Sequence, residues 1–332
     1  MPKAAGTGWK HYWLTVAAVW IAAGVAAWFY ARQEHIPAPI LLAALPAFLA
    51  EIGLYLAPGF AGVRATLARV QPPGLRALFV AGAALVPYLL AALRLGGFHW
   101  AEFGLLAALA AALSFWYVAA KPGALADCLF LALVAGVYLS HVFSQIYPSP
   151  SPHLQLETLG RLMWIHTGIL AVLCIRGWDA GFGFIPTARE WRIGVEQFFL
   201  FLPAGGAAAY FLHAVKFHLA PPVWWKVPLI VVGTFFAFLW VTALAEEFFF
   251  RGFLQQLLAR AWNNKLAALL AASAVFGLAH LPFRGFPNWR WVAVATVLGL
   301  ACGIAYWRSG SVRASMVTHA LVVATWRGFF AG

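Results

Sequence analysis

The sequence has little charge. Asp, Glu, Lys and Arg make up 10% of its 332 residues, against about 25% in an ordinary soluble chain. The missing charge is replaced by apolar residues, which reach 64%. A soluble globular chain runs near 45–50% apolar, so that class is excluded, and intrinsic disorder with it. Long polar stretches are also lacking, which leaves no room for a large extramembrane domain. Cysteine is scarce. Cys128, Cys174 and Cys302 lie in apolar stretches with neither pairing nor metal-ligand spacing. They read as small core hydrophobes, and a disulfide scaffold is excluded.

What is present is apolar sequence in lengths of about 20, the span of a bilayer core at 1.5 Å per helical residue. The fold class this implies is all-α: a polytopic transmembrane helix bundle of about eleven spans. Hydropathy puts them near 12–31, 39–58, 76–95, 99–119, 124–145, 162–178, 196–216, 227–250, 266–282, 291–307 and 312–330. The first apolar run, Tyr12 to Tyr30, exceeds a signal-peptide core of 7–15 residues and reads as a retained span. The net charge of +12 comes from 22 Lys and Arg scattered in ones and twos rather than in a basic stripe. Nucleic acid is therefore not an expected partner, and these are loop charges that orient spans. With the N-terminus inside, 14 of the 22 fall on the inner side. The expected location is an integral protein of a bacterial inner membrane with a cytoplasmic N-terminus.

Two regions differ in character. Residues 1–180 are rich in Ala and Leu, form six expected spans and carry no motif that assigns them a role. The linker Gly181-Phe-Gly-Phe-Ile-Pro186 leads to Thr187-Ala-Arg-Glu190, a capping-box pattern that starts a helix. Its first turns, with Arg189, Glu190, Arg192 and Glu196 among Trp191, Ile193 and Val195, read as an interfacial helix entering a second region, 181–332. Pro203, Gly205 and Gly206 then mark a place where the seventh span is expected to kink.

The costly residues lie in the eighth span, Leu244-Ala-Glu-Glu-Phe-Phe-Phe-Arg251. Three charges at about 2.5–3.5 kcal/mol each outweigh the few kcal/mol that a dozen apolar neighbours return. They must face a protein interior or a watery cavity, or else form the boundary of the span. Glu247 and Arg251 stand four apart in the favourable acid-before-base order. Glu246 points about a quarter-turn away without that partner, as suits a general base for water. Two histidines join them: His280, four residues after Phe276, and His319 in the last span. Either could instead be a satisfied core group. There is no His-Glu-x-x-His run and no Gly-x-Ser-x-Gly, which argues against zincin and rhomboid-like serine chemistry. P-loop and dinucleotide fingerprints are absent too. A zinc site of Glu246, His280 and His319 with an open water position stays available. Glu51, Glu102, Asp127, His141 and His166 lie at or near membrane depth without sequence-close partners. They are read as interfacial or interhelical groups, with an ion path as the rival. Gly299-Leu-Ala-Cys-Gly303 is a small-residue pair suited to close helix packing.

The pattern Glu246-Glu247-x-x-x-Arg251, Phe276-x-x-x-His280 and a final-helix His319 resembles the three signatures of the CPBP family. These are the CAAX-protease and bacteriocin-processing intramembrane endopeptidases, and the likeness covers about residues 187–332. The resemblance implies a four-helix catalytic core in spans eight to eleven and a glutamic-type, cofactor-free peptide hydrolase. Its substrates would be membrane-anchored proteins or peptides in the lipid bilayer, cut near their C-terminal segment. Residue by residue, it implies that Glu246 and His280 activate the attacking water, that Glu247 and Arg251 brace the site, and that His319 stabilises the oxyanion. The sequence departs from the pattern at Val323, where a polar residue usually follows the histidine by four. Losing one oxyanion donor costs about 100- to 1000-fold, so either Thr318, Thr325 or Trp326 substitutes or the catalytic centre is altered. The ending His319-Ala-Leu-Val-Val-Ala-Thr-Trp-Arg327 is similar to members associated with exosortase-type C-terminal sorting. Two other readings remain: a non-catalytic immunity or chaperone-like protein that keeps the fold, and an ion-coupled transporter using Glu51, Glu102 and Asp127.

Overall fold

A computed structural model describes residues 3–218 and 224–331. The described residues are mostly helical, with connecting loops and a two-residue antiparallel pairing of Lys216–Phe217 with Phe330–Ala331. It divides into two compact units, Met1–Trp178 and Asp179–Gly332.

The first unit contains α1 (Lys3–Gln33), α2 (Ala38–Leu56), α3 (Ala61–Arg69), α4 (Pro73–Leu95), α5 (Trp100–Ala119), α6 (Ala124–Leu139), α7 (Val142–Ile146) and α8 (Glu157–Ile175). Prolines open α2 and α4, where the missing N–H has no helical partner to lose. α8 is the inner helix, with its middle buried from Met163 to Leu170. The outer helices turn Ile21, Leu93 and Leu125 outward at 70% exposure or more, as a lipid-facing surface requires.

The second unit contains α9 (Ala188–Phe211), α10 (Val227–Trp262), α11 (Lys265–Leu278), α12 (Trp289–Ser309) and α13 (Val312–Phe329). Local sequence chemistry sets its boundaries. Thr187 caps α9 through a full capping box with Glu190. Asn263 takes a left-handed conformation after α10, and the next residue, Asn264, caps α11 by accepting from the Ala267 N–H. Gly310, at φ 71°, ends α12, and the Ser311 side chain caps α13. A φ in that range favours glycine at the reversal. Within the unit α12 packs against α11, α9 and α13, while α10 packs along α13.

Among the described residues, eleven helices lie at the eleven expected spans. Seven are long and apolar enough to cross a membrane. Ala124–Leu139 and Lys265–Leu278 are shorter, and α9 and α13 carry more polar sequence. Two expectations change in detail. The interfacial helix and the seventh span form one helix, which runs on through Pro203. The eighth span does not stop near 250: α10 continues for 36 residues, or about 54 Å at 1.5 Å per residue. Arg251, Gln255 and Gln256 end the hydropathic signal but not the helix, because Arg and Gln are good helix formers and Arg251 and Gln255 are buried.

Candidate active site

The charged segment is the middle of α10. Leu244–Glu247 is one α-helical turn bracketed by two wider π-helical stretches, Leu239–Ala243 and Phe248–Gln255. Such insertions are rare and recur at functional sites. Here they stand directly on either side of the two glutamates.

Glu247 is the hub. Its Oε1 accepts from Arg251 Nη1 at 3.1 Å and from His319 Nδ1 at 2.8 Å. Arg251 Nη2 donates on to the Gly299 carbonyl at 3.3 Å. The guanidinium also lies over the Phe276 ring, 4.2 Å from its centroid. All four side chains are buried. A buried charge is tolerable only when paired and hydrogen-bonded, and this arrangement supplies both. Glu247 and Arg251 tie α10 to α12 and α13.

Glu246 differs from its neighbour. Its side chain is 32% exposed while that of Glu247 is fully buried. Its Oε2 has no hydrogen-bond partner and lies 3.9 Å from His319 Nε2. The two nitrogens of His319 therefore face the two carboxylates. Because Nδ1 is spent on Glu247, Nε2 is the one available toward Glu246.

His280 follows α11. Its Nδ1 lies 2.9 Å from the Phe276 carbonyl. A carbonyl only accepts, so Nδ1 carries the hydrogen and a neutral ring keeps Nε2 as an acceptor. The contact that joins His280 to the rest is aromatic. The Phe276 ring lies 4.8 Å from that of His280 and 5.7 Å, edge-on, from that of His319. Phe276 thus sits between the two histidines and beneath Arg251.

The three residues considered as stand-ins for the oxyanion donor fare differently. Thr318 is buried and its hydroxyl bonds the Gly194 and Ala314 carbonyls. Thr325 is half-buried on the same helix. Trp326 keeps a buried Nε1 without a partner. Val323 is buried.

For a metal, the described residues bring one acid–thiol–histidine group together: Glu247, Cys302 and His319, with ligand atoms within 4.8 Å of one another. It differs from the Glu246, His280 and His319 set. Arg251 already occupies the carboxylate oxygen of Glu247, and Cys302 Sγ lies 3.7 Å from the Ser315 carbonyl. The donor set is thus engaged by a cation and a carbonyl, which fits a metal poorly.

Sequence reasoning missed the other side of this brace. Gln255 Nε2 donates to the Gly303 carbonyl at 3.2 Å, just as Arg251 serves Gly299. Two donors four apart on α10 meet two glycine carbonyls four apart on α12. The glycines also let α12 approach closely, since a Cβ at Gly299 would lie 3.0 Å from Ser273 Cα. The matched spacing of Arg251/Gln255 and Gly299/Gly303 was the available signal.

Residues 224–325 match one family model, described as type II CAAX prenyl endopeptidase Rce1-like. This segment is similar to that family. It holds Glu246, Glu247, Arg251, Phe276, His280, Thr318, His319 and Thr325, and stops one residue short of Trp326. The resemblance to the CPBP family is shown over these residues, which exclude α9 and the whole first unit. No curated protein and no solved structure matches the chain.

Two of the three acids singled out in the first unit, Glu51 and Asp127, are partnered. Glu51 Oε1 meets His166 Nδ1 at 2.9 Å, and Asp127 takes two bonds from Arg176 at 3.2 and 3.3 Å. Both are interhelical pairs between residues far apart in sequence. One oxygen of Glu102 is buried without a partner.

Proposed function

We propose that the chain is a glutamic-type intramembrane endopeptidase that hydrolyses membrane-anchored polypeptides near their C-terminal segment. The observation that carries this is the asymmetry of the glutamate pair: a sealed Glu247 locked to Arg251 and His319, beside a partly open Glu246 with a free oxygen facing His319 Nε2. The Rce1-like match over the same helices supports it.

In this mechanism a water between Glu246 and the histidines gives its proton to the Glu246 carboxylate. The resulting hydroxide attacks the scissile carbonyl. His280, whose Nε2 is an acceptor, helps align the water. His319, when protonated, donates from Nε2 to the developing oxyanion while Glu247 holds it through Nδ1. The protonated Glu246 then passes its proton to the leaving amine, which balances the step and regenerates the carboxylate. General acid–base assistance of this kind is worth about 10²–10⁴-fold. No metal is required. A cytoplasmic N-terminus fits the loop charges, a bacterial inner membrane fits the Ala-rich, cysteine-poor composition, and a C-terminal sorting segment fits the likeness of the last helix.

The test is co-expression with a panel of membrane-anchored substrates, beside Glu246→Gln and His319→Ala variants, with and without chelator. The mechanism expects cleavage that both variants abolish and chelator leaves intact. Loss on chelation would replace it with a metal mechanism. Unchanged cleavage by Glu246→Gln would refute the base assignment.

A further inference from the structure

A cavity of about 380 Å³ opens where α9 ends and α12 begins, lined by His213, Arg284, Phe286, Asn288, Arg290 and Trp291 among others. Three features distinguish it. The first is charge. Neither arginine has a carboxylate partner among the described residues: in this unit Glu190 is bound to Arg313, Glu196 to Arg192 and Arg308, Glu247 to Arg251 and His319, and Glu246 faces His319. The remaining acid, Asp179, accepts from the Gly181 N–H at the opposite end. Lys216, Lys226 and Arg327 stand at the same end as the cavity, which therefore carries five Lys and Arg and no acid.

The second feature is that the guanidinium groups are held. Arg284 lies over the rings of Trp326, at 4.9 Å, and Phe283, at 5.7 Å. Arg290 Nη1 donates to the His213 carbonyl at 3.4 Å. Stacking on a ring face leaves the planar N–H edge free for an oxyanion. The third feature is depth. Large aromatics project around the opening, with Phe286 77%, Trp289 60%, Tyr210 70% and Phe211 76% exposed. Exposed Trp and Tyr at the end of a membrane bundle mark the headgroup level. An oxyanion group abundant at that level is a lipid phosphate, whose oxygens match the planar donor edge of a guanidinium.

We propose that this cavity is a binding site for the phosphate of an anionic phospholipid, held by Arg284 and Arg290. The site is outside the catalytic groups and does not depend on the protease reading. One aromatic ring, Phe283, separates it from His280: Phe283 lies 6.2 Å from His280 and 5.3 Å from Trp291. A bound headgroup would thus fix the level of the bilayer beside the site.

The experiment is native mass spectrometry of the full-length protein in detergent, titrated with short-chain phosphatidylglycerol. Parallel titrations use short-chain phosphatidylcholine, inorganic phosphate, and a peptide with a free C-terminal carboxylate. The proteins are wild type, Arg284→Gln/Arg290→Gln, Arg284→Lys/Arg290→Lys, and Arg32→Gln as a control that removes a positive charge from the first unit. At about 1 kcal/mol per cation near an anionic headgroup, the Gln pair weakens phosphatidylglycerol binding about 25-fold. The Lys pair retains most of it and Arg32→Gln retains all of it. The Lys pair guards against a folding defect. Equal affinity for phosphatidylcholine, or for inorganic phosphate alone, overturns the anionic-lipid assignment. So does peptide binding that the Gln pair abolishes while phosphatidylglycerol binding is unaffected.

Discussion

Each unit buries one glutamate–histidine pair of nearly the same geometry. Glu51 and His166 meet at 2.9 Å in the first unit, and Glu247 and His319 meet at 2.8 Å in the second. In both, a carboxylate oxygen meets Nδ1 and the other carboxylate oxygen has no partner. By the usual signs of a catalytic centre the pairs are equals. What separates them is the surroundings. His166 and Glu51 are sealed, with 2% and 0% of their side chains exposed, and no ion-pairing cation joins them among the described residues. Glu247 shares its oxygen with Arg251, and its histidine turns the second nitrogen toward another carboxylate that is one-third open. A buried glutamate–histidine bond is therefore a way of joining helices. It becomes chemistry only when a second acid and an access route are added.

The sharpest break in this comparison is the same substitution in each pair. Glu247→Gln keeps a side chain that can accept hydrogen bonds but strips the charge that neutralises Arg251. An uncompensated buried cation costs about 3–5 kcal/mol, so the variant should unfold at markedly lower denaturant in detergent. Adding Arg251→Met to that background should recover most of the loss, because removing both charges removes the cost. If Glu247→Gln is as stable as wild type, Arg251 is not held by that charge and the brace is misassigned.

Next in size is an effect on rate alone. Glu246→Gln should lower cleavage by about 10²–10⁴-fold while shifting stability by no more than about 0.5 kcal/mol, as expected of a site with an exposed face. Unfolding curves and cleavage rates on the same preparation check this. A Glu246→Gln protein that is inactive because it is unfolded would erase the distinction between the two glutamates.

A smaller effect belongs to the helix contact behind the brace. Gly299→Ala puts a methyl group 3.0 Å from the Ser273 backbone, and overpacking of this kind costs about 1–3 kcal/mol. It should also lengthen the bond from Arg251 to the Gly299 carbonyl, now 3.3 Å. Ala at an exposed helical glycine with open space around it, Gly233, should instead be neutral or stabilising. Equal responses at the two positions would mean that α11 and α12 do not approach as closely as described.

Much of this was legible in the sequence, for identifiable reasons. Spans follow from apolar length, and the start of α9 from Thr187, because capping is local chemistry. The pairing of Glu247 with Arg251 follows from helical spacing. The bond from Glu247 to His319 does not, since 72 residues separate them. Nor does that from Glu51 to His166, 115 apart. Hydropathy also misplaced the end of α10, because it measures transfer to lipid while Arg251 and Gln255 are transferred to the carbonyls of α12. Glu51 and Asp127 looked isolated for the same reason: their partners, His166 and Arg176, lie far along the chain.

The smallest expected effect is therefore the most informative control. Glu51→Gln leaves an amide oxygen that can still accept from His166, and no buried cation depends on the lost charge. The cost should not exceed that of one neutral hydrogen bond, about 0.5–1.5 kcal/mol, and cleavage per folded molecule should be unchanged. Removing either partner outright, Glu51→Ala or His166→Ala, orphans a buried polar group and should cost about 1–3 kcal/mol. The double variant should lose less than the sum, as for any pair in contact. If Glu51→Gln instead abolishes cleavage from a stably folded protein, the first unit carries chemistry of its own. The contrast between a sealed pair and an open one would then no longer distinguish structure from function.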